Sequence, residues 1–264
     1  MSPDLTLYAA LAFYLAGTLL VLAGLFNRSI AFQRYALFLM IAGFVLHTIW
    51  IGTICVRTGH PPLTNLPETA AFISWTIFAA EMLLYFKFRI RAAAFFVYPL
   101  VLILLSVAAV VREPYLPQEP SLRSGLFTMH LLFSTVGVAA LLVSLAFTLL
   151  SQMQERSLKS KSRGALFEWI PSLKVCDLVS YRSLATGFSI YTLGLLAGVL
   201  WAYRTSGGFF SGGAKEVGAI VAWVMFAILL QSYLDGSQRT RKTLVVAAVA
   251  FVSIGIAIFG IHHV

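Results

Sequence analysis

Eight stretches of mostly apolar residues recur along this chain, near 5–26, 33–55, 70–88, 92–111, 126–150, 184–204, 217–234 and 243–261. At about 1.5 Å of rise per residue, a run of about 20 such residues crosses the hydrocarbon core of a bilayer. The pattern predicts an all-α polytopic membrane protein with eight transmembrane helices. These runs take up most of the 264 residues, so no separate soluble domain fits between them and 1–264 reads as a single transmembrane domain. The composition agrees, with 59% hydrophobic and 11% charged residues and a mean hydropathy of +0.88. The segment Met1–Leu7 carries Asp4 and no Lys or Arg, so the first run reads as a retained helix and not as a cleavable signal.

Orientation follows from the basic residues, because positively charged loops stay cytoplasmic. Arg28 and Arg34 follow the first run, Lys87, Arg89 and Arg91 the third, six residues between Arg156 and Arg182 the fifth, and Arg239, Arg241 and Lys242 the seventh. Only five of the 19, Arg57, Arg112, Arg123, Arg204 and Lys215, fall on the other loops. Both termini are therefore expected outside. The same distribution accounts for the net charge of +9 without a nucleic-acid partner. Cys55 and Cys176 fall at opposite faces in this topology, which excludes a disulfide or a CxxC site within one chain.

All five histidines, His47, His60, His130, His262 and His263, fall in the outer half of the membrane or just beyond it. Imidazole is the commonest protein ligand for haem iron and most transition metals, so this gathering points to a shared site. His47 lies roughly 12 Å below the outer end of helix two at the standard rise. It is read either as a helix-packing residue or as a ligand facing the bundle interior. His130 sits about one turn below the outer end of helix five, and helix eight runs outward into Gly260-Ile261-His262-His263-Val264. If these helices are neighbours, two imidazoles meet at one depth, as a bis-imidazole haem requires. Consecutive helical residues point about 100° apart, so only one of His262 and His263 can face His130. Phe127, Met129, Phe133 and Phe259 offer apolar walls for a porphyrin, or simply packing.

The outer loop Gly59-His60-Pro61-Pro62-Leu63-Thr64-Asn65-Leu66-Pro67-Glu68-Thr69 is stiffened by its prolines. Thr64 or Asn65 is placed to cap helix three, with Glu68 as a first-turn acid favoured by the helix dipole. The basic run Gln154–Lys161 reads as a helix continuing out of the membrane toward anionic headgroups. The loop 207–213 reads as flexible, its Phe209 and Phe210 available to a membrane surface or a flat ligand.

Taken together, these segments resemble the cytochrome c assembly family that includes CcsA and HemX. The outer loop is similar to the family's Asn-x-x-Glu-Ser element, Leu149–Lys159 to its Gln-Glu-Arg-x-Leu-Lys segment, and Leu173–Ala202 to the block that follows, through Asp177, Ser180-Tyr181-Arg182, Gly187-Phe188, Gly194 and Trp201-Ala202. Gly260-Ile261-His262 resembles the family's final Gly-Leu-His. The resemblance implies haem handling at the outer face of a bacterial cytoplasmic membrane, with His130 and His262 as axial ligands of the iron of a b-type haem; His47 and His263 are further cofactor-binding candidates by their positions in the helices. Two departures stand out. The family's tryptophan-rich loop is replaced by Ser206-Gly207-Gly208-Phe209-Phe210-Ser211-Gly212-Gly213-Ala214-Lys215-Glu216, and a family histidine falls on Gln231. Both speak against synthetase activity and toward the HemX-like branch, so a binding protein is expected and not an enzyme.

The expected function is acceptance or movement of b-type haem in cytochrome c assembly, with haem, other assembly proteins and the lipid bilayer as partners. The alternative is a HemX-type regulator or scaffold whose cytoplasmic face, Glu155 to Tyr181, holds glutamyl-tRNA reductase. Homo-oligomerisation is left open by both. A transporter unrelated to haem is disfavoured, because no corresponding pair of broken helices marks a midplane site.

Overall fold

A computed structural model describes residues 3–27, 29–63, 65–88, 93–111, 124–160, 170–210, 212–236 and 241–259. They form eight helices: α1 (Pro3–Asn27), α2 (Ile30–Thr58), α3 (Leu66–Phe88), α4 (Ala94–Val110), α5 (Gly125–Ser160), α6 (Leu173–Ser206), α7 (Ala214–Leu234) and α8 (Arg241–Phe259). There is no strand among the described residues. Within lipid a helix satisfies its own amides and carbonyls, and side chains of opposite polarity need not segregate. The large apolar side chains left on the surface, Phe38 at 63% and Val252 at 64% exposure among them, accordingly face lipid.

Six helices, α1, α2, α3, α5, α6 and α7, are long and apolar enough to cross a membrane. α4 and the apolar part of α8, Lys242–Ala257, are shorter. The chain is a multi-pass membrane protein, with six such spans among the described residues against the eight expected.

In the middle of the chain the helices outrun their apolar runs, α5 as its basic run Gln154–Lys161 led one to expect and α6 beyond expectation. α5 continues to Ser160, ten residues past its apolar run, and α6 begins at Leu173, eleven residues before its own. Polar side chains support these extra turns. Lys159 pairs with Glu155 four residues earlier at 2.8 Å, and Ser151 Oγ donates to Asp177 Oδ1 at 2.6 Å, joining the two extensions.

Contacts divide the chain into two compact units. One contains α1 to α4 with α5 from Ala146 and α6 to Leu178; the other contains α5 to Leu145, α6 from Val179, α7 and α8. In the first unit α1 packs on α2, α2 on α3, α3 on α4 and α4 on α1, a closed ring of four. Its core includes Tyr14, Met40, Trp50, Ile54, Ile77, Phe78 and Leu105. Tyr14 reaches α2 because Gly43 offers no Cβ where the ring lies.

The second unit surrounds Leu141 and Val138 of α5, Leu184 and Tyr191 of α6, Ala222 and Phe226 of α7, and Ala250 and Ile254 of α8. α5 and α6 run antiparallel and close together. An added Cβ at Gly137 would lie 2.7 Å from the Tyr191 backbone nitrogen, and one at Gly194 would lie 2.7 Å from that of Ser134. Such close backbone approach through small residues is the usual way helices associate in lipid, where apolar surface gains little by being covered.

Helix ends follow the expected chemistry. Asn65 Oδ1 accepts the Glu68 amide at 2.9 Å, which makes Asn65 the cap of α3; Thr64 lies outside the described residues. Gly59, at φ 77°, closes α2 by donating its amide to Cys55 O. Ser124 Oγ accepts the Phe127 amide and caps α5.

Candidate functional site

In the second unit the start of α5, the end of α6, the start of α7 and the end of α8 lie at one end. This follows from the antiparallel pairings. Ser144 and Ser180 share hydrogen bonds at the other end of α5 and α6, Tyr191 Oη donates to Ala219 O across α6 and α7, and Gly218 of α7 abuts Ser253 and Ala257 of α8.

His130 lies at that common end. Its Nδ1 is 2.8 Å from Gly194 O. A carbonyl can only accept, so Nδ1 carries the proton and Nε2 carries the lone pair. Nε2 has no hydrogen-bond partner among the described residues. Metal-binding histidines are held in this way, one nitrogen donating to a carbonyl while the other faces the ion. The ring is seated against Gly198, where an added Cβ would lie 2.6 Å from Nδ1. One turn toward the helix start, Phe127 packs on Trp201 of α6 with ring centroids 4.9 Å apart. Trp201 Nε1 is a buried donor with no partner among the described residues. Met129 and Phe133 are exposed beside the histidine. An available imidazole lone pair, an apolar wall and a spare donor form a donor set that fits a haem approached from the open side of His130.

His262 and His263, which the sequence makes candidate ligands, lie outside the described residues, as does Gly260; α8 ends at Phe259 at the same end as His130.

His47 belongs to the first unit, and its setting is different. It is 0% exposed, its Nδ1 is 3.4 Å from Tyr14 Oη, and Trp50 packs beside it. Nε2 is buried with no partner among the described residues. A nitrogen so enclosed leaves no open face for a macrocycle in this packing. His60 is tied into its own loop: Nδ1 donates to Pro61 O at 2.8 Å, while Thr58 Oγ1 donates to the His60 carbonyl. Its role there is to hold the turn between α2 and α3.

The substituted loop also has structure. Gly207 takes φ 74°, and Phe209 stacks on Tyr203 of α6 with rings 4.2 Å apart and nearly parallel. One of the two loop aromatics is thus held by α6 instead of being free. Gln231 sits near the far end of α7 and donates to Asp235 Oδ1 at 3.0 Å. It shares no site with His130.

A family model described as cytochrome C assembly protein matches residues 63–264. The chain belongs to this family. The matched span takes in His130, the loop after α6 and the C-terminal histidines, and leaves His47 and His60 outside it. Among similar family members, the cytochrome c biogenesis protein CcsA of Guillardia theta is 28% identical over 234 residues, 81% of this chain and 78% of that protein. The CcsA of Synechococcus sp. (strain CC9902) is 27% identical over 231 residues, 78% of this chain and 76% of its own length. In fold the chain resembles the solved cytochrome c haem lyase CcmF, with a TM-score of 0.75 at 16% identity. That match covers 98% of this chain and 47% of the larger structure. Membership supports a role in cytochrome c assembly.

The residues that seat His130 are less visible in the sequence than the histidine itself. Gly194 was legible as part of a family block, but Gly198 was not. Their signal is the spacing Gly187, Gly194, Gly198, intervals of seven and four that keep small residues on one helical face.

Proposed function

We propose that this chain binds b-type haem at the end of the second unit where His130 lies, and handles it during cytochrome c assembly at the outer face of a bacterial cytoplasmic membrane. The observation that carries the proposal is the hydrogen bond from His130 Nδ1 to Gly194 O, which leaves Nε2 as an oriented lone pair. His262 is the proposed second axial ligand, on the sequence resemblance and on the direction of α8; His263 is its rival. His47 is the reserve candidate for a deeper site, which its burial makes the less accessible of the two.

In this reading haem supplies the iron centre, and the protein supplies its position. Gly194 O and Gly198 hold the imidazole plane, Phe127 and Trp201 form an apolar wall, and Trp201 Nε1 offers a donor to an acidic edge group. The proposal is of binding and presentation without synthetase activity. Partners of the same assembly pathway are proposed with it.

The test is the absorption spectrum of the detergent-purified protein. Wild type is expected to show a low-spin haem, and His130→Ala or His262→Ala to convert it to high-spin or to abolish haem retention. His60→Ala and His263→Ala are expected to leave the spectrum nearly intact. If both principal variants keep the wild-type spectrum and haem content, the assignment is wrong and His47 takes its place. The alternative reading, a scaffold for glutamyl-tRNA reductase, would announce itself by co-purification of that enzyme, lost when the cytoplasmic loop within Glu155 to Tyr181 is deleted.

A further inference from the structure

At the end of the first unit opposite His60, a pocket is lined by Val21 of α1, Gln33, Arg34 and Leu37 of α2, Glu81 and Tyr85 of α3, and Ala94 and Tyr98 of α4. Every helix of the four-helix ring contributes. Glu81 is 1% and Gln33 8% exposed, and neither carboxylate oxygen of Glu81 nor either amide atom of Gln33 has a hydrogen-bond partner among the described residues. An ionised carboxylate left bare in such a place is strongly unfavourable, and ionisable groups inside a membrane that are not compensated by the protein mark ion or proton positions. Arg34 is exposed, so its charge stands at the mouth and not against the carboxylate.

The donor set identifies the guest. It consists of oxygens: two from Glu81, the Gln33 carbonyl, and the phenols of Tyr85 and Tyr98. Hard cations prefer such a set, while the absence of His and Cys from the lining disfavours zinc, copper or iron. One carboxylate balances one unit of charge, and divalent ions would be left undercompensated. The space between the helices admits a water-sized guest.

We infer that this pocket is a binding site for one small monovalent cation, hydronium or sodium, with Glu81 as its counter-charge and Gln33 as its second ligand. With hydronium, the proton passes to a Glu81 oxygen and leaves a neutral carboxyl and one water; with sodium, the carboxylate stays ionised. The other titratable or charged groups that line the pocket are Tyr85 on α3, Tyr98 on α4 and, at its mouth, Arg34 on α2, while α1 contributes only Val21. The site stands apart from the haem reading, which concerns the other unit.

Infrared difference spectroscopy of the full chain in lipid nanodiscs tests it, with pH steps in one arm and sodium chloride against choline chloride in the other. For hydronium, a protonated-carboxyl band grows as the pH is stepped down and is missing from Glu81→Gln. For sodium, a carboxylate band shifts with sodium chloride but not with choline chloride, and Glu81→Gln again lacks it. Gln33→Leu, which keeps the carboxylate, is expected to move the pH midpoint or weaken the sodium response about tenfold, the effect of one lost ligand worth about 1.4 kcal/mol. A wild-type protein silent in both arms, a response that persists in Glu81→Gln, or one unmoved by Gln33→Leu would overturn the inference.

Discussion

The position of the His130 ring depends on an atom that is missing next to it. With 2.6 Å between Nδ1 and a hypothetical Cβ on Gly198, a side chain there and the imidazole cannot both keep their places. Gly198→Val is therefore expected to displace the ring and give the same loss of low-spin haem as His130→Ala, although the histidine is still present. Gly198→Ala, with less volume to accommodate, should give a mixed spectrum. Gly52→Val is the control, since nothing lies within 4 Å of a Cβ added at Gly52. An unaltered spectrum in Gly198→Val would mean that the imidazole is not held by α6. Part of this arrangement was legible in the sequence. His130 stood out because the histidines gather at one expected face and because it matches a family histidine, whereas its partner is a backbone carbonyl, which no residue type advertises.

At the scale of helices, ends were easier to anticipate than lengths. Thr64 or Asn65 was expected as a cap, and Asn65 is one, its short side chain accepting the Glu68 amide at the start of an acidic first turn. Asn65→Ala is expected to lower stability by about 1 kcal/mol, read from denaturant unfolding in detergent, while leaving the haem spectrum unchanged. A spectral change in that variant would tie the α2–α3 loop to the haem site. The continuation of α5 through its basic run was expected and is seen to Ser160, whereas the beginning of α6 was misjudged because hydropathy marks only the part of a helix that lies in lipid. Beyond it, the helices continue on the Glu155–Lys159 pair and the Ser151–Asp177 bond, which supply what the bilayer no longer does. The Glu81 pocket escaped notice for a related reason. A single carboxylate in an apolar run does not reveal which four helices close around it.

For the molecule as a whole, the membrane class was fixed by composition and the eight helices by their apolar runs, while six of them satisfy the length and hydropathy of a span among the described residues. Orientation rests on the basic loops. Reporter fusions should read cytoplasmic after Ser160 and external after Gly212 and after Val264. An external signal at Ser160 would invert the chain and set the His130 end on the cytoplasmic side. In either orientation, the α5–α6 contact bears on the gene as well as on the protein. Every amino acid that a base change can put in place of glycine carries a Cβ. At Gly137, Gly187, Gly194 and Gly198, where an added Cβ would lie within about 3 Å of the facing helix, missense drift therefore has no conservative step, and only silent third-base changes pass unselected. The Leu, Ile and Val codons around them can interchange at little cost in volume, so over time these four glycines should stand still while the lipid-facing sequence drifts past them.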